Sequence, residues 1–561
     1  MTNADYILHV LKYLEVGYLF GVQGGAIGPL YDALEKAERT GGPFNITCRH
    51  EGDAAFMADG YAKTSGHLGV CVGTSGPGAT NMVTGLASAM LESTPLLAIT
   101  AQTPLHKFGR RAMQDSSDTG IDTVAILKAC TKYSTLVSHE DQLIPKLITA
   151  IKAALAPTPG PVHLSIPTNI LEAPAKEMAL PAKDIFTSRS SLIDEQAIAE
   201  LASLLAHRNN ICFVIGENSD NTTDEIISLS EKLNATMVAT PGGLRWAPVQ
   251  HPRFAGVFGF AEHSSAVQAL VEAEVIVSIG ATFSEWNTGN WDAKLLNNKL
   301  VTIDTTPAYT DLASMANLQL YGSLPATLRR LKTIVASKEA AEPRYPLLRS
   351  PYTLHDSRVS PQLLVETTTK DLPREATLTV DVGNIWSWVT HYTQQNLLPG
   401  NFLINTGYGT MGYAPAAIGA AFAKRTPALC LIGDGAFLMA GQELSVAKQY
   451  GLPVIYVVFN DSSFGMVRHL RMIQGVKPMG DELSPVDFTK MAEAMGIEGL
   501  RISSNEELRA LDFKKLYRRK EPLLIDALVD VDAVPLIGAR VSAIGGATTK
   551  PGKKIAQEKG V

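Results

Sequence analysis

The sequence is poor in cysteine and has no long apolar run. Its five cysteines include no CxxC pair, which argues against a disulfide framework and a zinc knuckle and indicates a reducing, cytoplasmic location. Nowhere do about 18 apolar residues follow one another, and the first residues lack a basic, apolar leader, so we expect neither a membrane span nor export. The net charge of -6 argues against nucleic acid as a partner.

At 561 residues the chain is too long for one hydrophobic core, since single cores stop growing near roughly 250–300 residues. Short apolar runs bounded by Gly or Pro alternate with helix-like periodic stretches, a pattern typical of parallel sheets with crossover helices. The sequence therefore predicts an α/β protein with three doubly wound parallel-sheet domains. Polar, proline-containing stretches separate them, and we place the three blocks and a flexible tail at residues 1–175, 192–336, 362–535 and 538–561.

The tripeptide Gly-Asp-Gly at residues 433–435 ends an apolar run in the third block. A helical segment and a second apolar run follow, and that run ends at Asn460 and Asp461. Glycines beside an acid at the carboxyl end of a strand let the backbone approach a phosphate, and an oxygen ligand after the neighbouring strand can complete a small Mg²⁺ site. We therefore predict that Asp434 and Asp461 lie together at one sheet edge.

A second motif, in the first block, joins Glu51 to a glycine-rich turn. Glu51 opens a helical stretch rich in small residues, and residues 73–81 read Gly-Thr-Ser-Gly-Pro-Gly-Ala-Thr-Asn. A glutamate at the start of such a helix, followed by a strand-to-helix turn rich in glycine, predicts a binding-site wall that packs closely against a flat ring of a ligand.

With both motifs in place, residues 6–530 resemble the thiamine diphosphate enzymes of the acetohydroxyacid (acetolactate) synthase and pyruvate oxidase branch. The resemblance implies a pyrimidine-binding first domain, a central domain and a diphosphate-binding third domain. It makes Glu51 the carboxylate that activates the cofactor, and it makes Asp434, Asp461 and the carbonyl of Ser463 the ligands of Mg²⁺. Asp461 departs from the family, which usually has asparagine there.

The resemblance also assigns further contacts. Gln114 falls where the synthases have a polar group near the reactive carbon, Gly25 belongs to their Gly-Gly loop, and both join Glu51 as predicted catalytic residues. Met411 matches the methionine that supports the bent conformation of the cofactor. The full predicted cofactor-binding set is Glu51, Asn81, Gly383, Asn384, Ile385, Gly409, Met411, Gly433, Asp434, Gly435, Ala436, Asp461, Ser463, Phe464, Gly465 and Met466. Glu443, by contrast, is interpreted as a helix-surface or capping residue.

The implied reaction is the Mg²⁺-dependent decarboxylation of a small 2-oxo acid such as pyruvate, with transfer of the acyl-anion equivalent to an acceptor carbonyl. The synthases hold a second 2-oxo acid with an arginine of the central domain, but residues 280–286 here read Gly-Ala-Thr-Phe-Ser-Glu-Trp, without arginine. An indole cannot replace a bidentate cation. The tryptophan that favours 2-oxobutyrate in the synthases is also replaced, by Leu470. The acceptor stays open among aldehydes, ketones and oxo acids, with the first two favoured.

Two other activities also stay open. FAD is left open for the central domain, because residues 256–263 resemble the flavin-binding loops of this branch only in outline. A redox-active FAD would indicate a pyruvate oxidase-like oxidoreductase, whereas a lyase or hydrolase acting on a diketone would need no acceptor. The resemblance further implies a homodimer or homotetramer, in which the pyrimidine-binding block of one subunit faces the diphosphate-binding block of another.

Overall fold

Three six-stranded parallel sheets organise the residues that the computed structural model describes, namely 1–176, 179–186, 192–355 and 358–537. Helices alternate with the strands in all three, so the predicted α/β class with three doubly wound parallel sheets is confirmed. The predicted tail at residues 538–561 lies outside the described residues, as does part of each stretch between the blocks. None of the described helices is long and apolar enough to cross a membrane.

The first sheet is built by the first block. Its strands are β1 (Tyr18–Gly21), β2 (Phe44–Thr47), β3 (Gly69–Gly73), β4 (Leu96–Gln102), β5 (Tyr133–Leu136) and β6 (Val162–Pro167). Their order across the sheet is β2-β1-β3-β4-β6-β5. The helices are α1 (Asn3–Tyr13), α2 (Gly28–Glu38), α3 (Glu51–Ser65), α4 (Pro77–Thr80), α5 (Val83–Leu91), α6 (Thr123–Lys128), α7 (Leu143–Ala154), α8 (Thr168–Glu172) and α9 (Lys183–Phe186). Strands β3 and β4 are buried along their whole length, as expected of central strands covered on both faces.

The second sheet is built by the middle block. Its strands are β7 (Ile211–Ile215), β8 (Thr236–Ala239), β9 (Phe254–Val257), β10 (Val275–Ile279), β11 (Leu300–Asp304) and β12 (Leu318–Tyr321). Their order is β12-β11-β10-β7-β8-β9, so the direction of winding reverses between β7 and β10. The helices are α10 (Glu195–Ala206), α11 (Thr223–Leu233), α12 (Ser264–Glu272), α13 (Glu285–Thr288) and α14 (Leu324–Ile334).

The third sheet has the same topology as the first. Its strands are β13 (Thr377–Val380), β14 (Phe402–Ile404), β15 (Ala428–Gly433), β16 (Val454–Asn460), β17 (Glu498–Ile502) and β18 (Leu523–Leu528). Their order is β14-β13-β15-β16-β18-β17. The helices are α15 (Pro361–Lys370), α16 (Asn384–Tyr392), α17 (Pro415–Lys424), α18 (Asp434–Ala440), α19 (Leu444–Gln449), α20 (Gly465–Ile473), α21 (Phe488–Ala494), α22 (Asn505–Ala510) and α23 (Phe513–Leu516).

Helix α3 of the first block packs directly against α17 of the third block. Two glycines let the helix backbones touch. A Cβ added to Gly60 would lie 2.0 Å from the carbonyl oxygen of Ala416, and one added to Gly419 would lie 1.9 Å from that of Met57. Because α3 begins at Glu51, this contact fixes the helix that carries the predicted catalytic glutamate.

Candidate cofactor site

A cavity of about 370 Å³ opens at the carboxyl edge of the third sheet. The turns after β13, β14, β15 and β16 supply most of its wall, at the edge where ligands of open α/β sheets bind. The third-block residues of the predicted cofactor-binding set all line this cavity: Gly383, Asn384, Ile385, Gly409, Met411, Gly433, Asp434, Gly435, Ala436, Asp461, Ser463, Phe464, Gly465 and Met466.

Two carboxylates belong to the cavity wall. Asp434 is the first residue of α18 and is 3% exposed. Asp461 follows β16, and its Oδ1 accepts hydrogen bonds from the backbone N–H and the hydroxyl of Ser463, both at 3.0 Å. Burial, and then the negative charge of Asp461, raise the pKa of Asp434 to about 7. A cation between the two carboxylates would offset both the burial of Asp434 and the repulsion between the acids, since an opposite charge favours the ionised form.

Two helices begin at this cavity, α16 at Asn384 and α20 at Gly465. Helix N-termini present unsatisfied N–H groups and favour anions. Gly465 leaves room for two side chains, since an added Cβ would lie 2.6 Å from Nδ2 of Asn384 and 2.7 Å from Oδ2 of Asp461. Gly383 has a φ of +140°, and a Cβ there would meet no protein atom within 4 Å. The cavity therefore combines acids with backbone suited to a phosphate.

A buried acid that the sequence reasoning missed holds the loop of Met411. Asp381 is 0% exposed. Its Oδ1 accepts hydrogen bonds from the N–H groups of Val382 at 2.7 Å and Gly412 at 3.1 Å, and its Oδ2 accepts one from that of Ala414 at 3.0 Å. These bonds fix the backbone that directly follows Met411. The available signal was an acid directly after an apolar strand.

Glu51 lies at the carboxyl edge of the first sheet. It is 8% exposed, and its Oε2 accepts a hydrogen bond from Nδ2 of Asn81 at 2.9 Å. A Cβ added to Gly78 would lie 3.4 Å from Oε1, so the glycine-rich turn lies against this carboxylate. The two parts of the first-block motif therefore come together, as the sequence predicted.

Gln114 and Gly25 lie at the same edge of the first sheet, on turns that follow β4 and β1. Oε1 of Gln114 accepts a hydrogen bond from the hydroxyl of Ser75 at 3.2 Å. Gly25 opens a 3₁₀ turn, Gly25–Ile27, and a Cβ added there would meet no protein atom within 4 Å. Both residues are exposed.

The two edges do not form one cavity within the chain. The lining of the third-sheet cavity contains no residue of the first block, so Glu51, Asn81, Gln114 and Gly25 lie outside it. The chain by itself therefore carries two half sites, one at each sheet edge.

The interpretation of Glu443 as a helix-surface or capping residue is wrong in its first part. Its side chain is 0% exposed, and its Oε1 accepts a hydrogen bond from the N–H of Arg49 at 2.8 Å. Burial, together with the mutual proximity of Glu443 and Asp53, raises the pKa of Asp53, and burial also raises the pKa of Glu443. Asp53 belongs to the first turn of α3, and packing between the blocks places Glu443 against that turn.

Comparison with known proteins assigns a family to this arrangement. Sequence models described as the N-terminal TPP binding, central and C-terminal TPP binding domains of thiamine pyrophosphate enzymes match residues 1–124, 198–331 and 381–527. The probable acetolactate synthase large subunit of Methanocaldococcus jannaschii is 31% identical over 97% of this chain and 95% of its own length. The chain belongs to the thiamine pyrophosphate enzyme family.

Further relatives place this thiamine pyrophosphate enzyme in the acetolactate synthase branch. The acetolactate synthase large subunit of Lactococcus lactis is 32% identical over 96% of this chain and 94% of its own length. The isozyme 2 large subunit of Escherichia coli is 31% identical over 91% and 92%. A solved structure from Mycobacterium smegmatis, described as a thiamin diphosphate-dependent enzyme, has a TM-score of 0.81 at 22% identity and covers 94% of this chain and 99% of its own. The resemblance drawn from the two motifs is therefore confirmed.

The two matched TPP-binding domains contain the residues that the sequence predicted for the two half sites. Glu51 and Gln114 fall in the N-terminal match, and Asp434 and Asp461 fall in the C-terminal match. The chain is thus a thiamine diphosphate-dependent, acetolactate synthase-like enzyme.

Proposed function

We propose that this enzyme is a cytoplasmic carboligase, dependent on Mg²⁺ and thiamine diphosphate, which decarboxylates a small 2-oxo acid such as pyruvate. It transfers the remaining acyl unit to an acceptor carbonyl, preferably that of an aldehyde or ketone. The observation that carries the proposal is the cavity in which Asp434 and Asp461 meet at the carboxyl edge of the third sheet. The cytoplasmic location is supported by the cysteines, all of which are free and buried.

The chemistry of the cavity fits a magnesium diphosphate. Among the described residues no cluster of three or more His, Cys, Asp or Glu side chains could hold a metal. Magnesium, however, is usually bound by one or two carboxylates together with substrate phosphates and waters. Asp434, Asp461 and the carbonyl of Ser463 would hold the ion, while the N-termini of α16 and α20 would face the diphosphate.

Glu51 would supply the proton chemistry. Asn81 holds Oε2 of this carboxylate, so Oε1 is the oxygen that would hold or release a proton at the pyrimidine. Positioned acid–base groups contribute about 10²–10⁴-fold to rate. Bound thiamine diphosphate supplies the electron sink for breaking the bond to the carboxylate carbon of the 2-oxo acid. Met411, held through Asp381, would support the conformation of the cofactor.

A second copy of the chain would complete the site, because the cavity that contains Asp434 and Asp461 is lined by no residue of the first block. Apolar side chains on the elements that carry both halves support this: Met113 beside Gln114 is 86% exposed, and Leu438 and Met439 on α18 are 45% and 49% exposed. Large exposed apolar groups mark interaction surfaces. We propose a homodimer as the minimum and a homotetramer as the alternative.

The preference for an uncharged acceptor rests on Trp286. The resemblance places an arginine of the synthases at this position, but here the indole stacks on Phe260, with 3.6 Å between ring centroids, and forms a T-shaped pair with Trp386, with 4.8 Å between centroids. A Cβ added to Gly409 of the cavity wall would lie 3.6 Å from the ring of Trp386. An aromatic cluster at this place offers no fork for a carboxylate.

Subunit complementation tests the shared site. Glu51→Gln and Asp434→Ala should each be nearly inactive alone, since each removes one half site. Mixed dimers contain one site with both native residues, so unfolding and refolding the two variants together should restore about a quarter of the native activity. No recovery from well-folded mixed dimers would contradict a site built by two subunits, and full activity of Glu51→Gln would refute its assignment.

An acceptor panel tests the reaction. Pyruvate is supplied alone, with an aldehyde, with a ketone or with a second 2-oxo acid, and released CO₂ and products are followed. We expect the fastest ligation with an uncharged carbonyl compound. A clear preference for a second 2-oxo acid would overturn the acceptor assignment, cleavage of a diketone without acceptor would indicate a lyase or hydrolase, and dependence on an electron acceptor would indicate an oxidase.

A further inference from the structure

The crevice of the middle sheet is the place where a nucleotide cofactor would bind. The strand order reverses between β7 and β10, and ligands of open α/β sheets bind outside the carboxyl ends of the strands at such a switch point. In the dinucleotide-binding version, glycines after the strand let the backbone and a helix N-terminus reach the pyrophosphate. FAD, which the sequence left open for this block, would place its diphosphate here.

A carboxylate already occupies this position. Oε1 of Glu217 accepts hydrogen bonds from the backbone N–H of Thr282 at 3.1 Å and from Nδ2 of Asn287 at 2.7 Å, and also from the hydroxyl of Thr282. Its Oε2 accepts one from the hydroxyl of Thr240 at 3.3 Å. Glu217 follows β7 and Thr282 follows β10, so the side chain bridges the two turns of the switch point. Glu217 therefore already accepts from the N–H of Thr282, a backbone donor that a phosphate would need.

The glycines of these turns serve contact between the two backbones. The N–H of Gly216 donates to the carbonyl of Ile279, and that of Asn218 donates to the carbonyl of Gly280, both at 2.8 Å. A Cβ added to Gly216 would lie 2.2 Å from the carbonyl oxygen of Gly280, and one added to Gly280 would lie 2.6 Å from the carbonyl carbon of Asn218. The two turns are therefore already in contact.

The surrounding charge also opposes a diphosphate. The acids already repel one another here: after desolvation, the charge of Glu217 helps to raise the pKa of Asp304, at the end of β11, to about 7. Asp220 lies in the same turn as Glu217, and Asp224 and Glu225 occupy the first turn of α11. Acids at a helix N-terminus use the favourable interaction that an anionic ligand would otherwise make.

Two cations line the cavities that Glu217 also lines, and acids lie near both. Lys63 forms a salt bridge of 3.0 Å with Asp59 and lies 4.0 Å from Glu92. Arg245 interacts electrostatically with Asp220, and the N–H of its guanidinium donates to the carbonyl of Lys63 at 2.7 Å. These cations therefore do not offset the acids at the switch point.

We infer that this enzyme does not bind FAD, and that the carboxylate of Glu217 acts as a built-in replacement for the diphosphate, holding the turns after β7 and β10 together. The inference goes beyond the proposed function, which requires no flavin. It also removes the structural basis for an oxidase that would use a flavin in this domain.

The test compares the full-length native enzyme with Glu217→Gly, using FAD and ADP as probes. Glu200→Gln is the control, because it removes the same charge from an exposed position on α10 of the same domain. Each protein is incubated with FAD and passed over a desalting column, and retained flavin is read from its absorption bands. ADP binding is measured by calorimetry, and the Tm is measured with and without ADP.

We expect the native enzyme and Glu200→Gln to retain no FAD and to show no shift of Tm with ADP. Glu217→Gly should melt at a lower temperature, and ADP should bind it at least about tenfold more tightly and raise its Tm, because a like charge has been removed and a backbone donor freed. If the glycine variant does not fold, Glu217→Gln should show a smaller gain in ADP affinity, because it removes the charge but keeps an oxygen that can accept from the N–H of Thr282. Retention of about one FAD per native chain, or equal ADP affinity in native and Glu217 variants, would overturn the inference.

The outcome is separable from that of the proposed function. Quenching of tryptophan fluorescence by thiamine diphosphate and Mg²⁺ is recorded on the same samples. Failure to bind thiamine diphosphate would contradict the proposed function alone, whereas flavin retention would contradict only the role of Glu217.

Discussion

Replacing Gly419 by alanine should destabilise the contact between α3 and α17. The new Cβ would lie 1.9 Å from the carbonyl oxygen of Met57 and 2.9 Å from the backbone nitrogen of Tyr61. Backbone atoms of a buried helix cannot rotate away as a side chain does, so the helices must separate by roughly 1.5 Å to restore ordinary contact. Because α3 begins at Glu51 and α17 follows the loop of Met411, the separation would displace both half sites.

The expected magnitude follows from two opposing effects. Overpacking a well-packed interior costs about 1–3 kcal/mol and occasionally more, and a clash between two backbones belongs at or above the upper end. Alanine in place of glycine inside a helix returns up to about 1 kcal/mol through helix propensity. We therefore expect a net loss of about 2 kcal/mol or more for Gly419→Ala.

The assay is differential scanning calorimetry with a matched glycine variant. Gly28 begins α2 with a φ of -44°, and a Cβ there would meet no protein atom within 4 Å. Gly28→Ala should therefore leave the Tm unchanged or raise it slightly. Gly419→Ala should lower the Tm and weaken thiamine diphosphate binding. Equal Tm values for the two variants would refute the reasoning that the α3–α17 contact needs a bare backbone.

Three further outcomes are expected. Asp434→Ala should abolish Mg²⁺-dependent binding of thiamine diphosphate, whereas Asp461→Asn should keep this binding, because the amide oxygen can still bind the ion. Equal loss of binding in the two variants, measured by fluorescence titration, would contradict the ligand assignment. Asn81→Ala should lower kcat by about tenfold by releasing Oε2 of Glu51, and an unchanged pH–rate profile would argue against this positioning role. Burial lowers the pKa of His163 to about 3, below the unfolded value near 6.5, so the folded chain binds this proton less readily than the unfolded chain. The free energy of unfolding should therefore fall from about pH 6.5 toward 3 by up to about 1.4 kcal/mol per pH unit. In urea unfolding, His163→Gln should show a shallower dependence of stability on acid pH.

The half-site motifs could be predicted because their signals are local. The apolar runs that became β15 and β16 each end in a turn that carries an acid, and parallel strands bring their carboxyl ends to one edge. Asp434 and Asp461 therefore lie in one cavity, and Glu51 contacts the turn that contains Asn81. These relations need only strand periodicity and turn composition, which neighbouring residues display.

Contacts between distant segments could not be read in this way. Glu443 stands on a short helical segment where exposure is the ordinary expectation, but Arg49 and Asp53 of another block cover it. Asp381 accepts hydrogen bonds from the N–H groups of Gly412 and Ala414, which follow α16 and β14 in the chain. Backbone N–H groups occur in nearly every residue, so the sequence does not indicate this contact.

The amino-acid sequence by itself determined the α/β class, the acid and the glycines of each half-site motif, and the absence of an arginine fork at Trp286. Each follows from residue type or from short-range periodicity, which are properties of adjacent residues. Only the tertiary structure decided that the two half sites stay apart within one chain and that Glu217 occupies the crevice of the middle sheet. Both depend on which turns meet after the strands are ordered into sheets, and that order is set by packing between residues far apart in the chain.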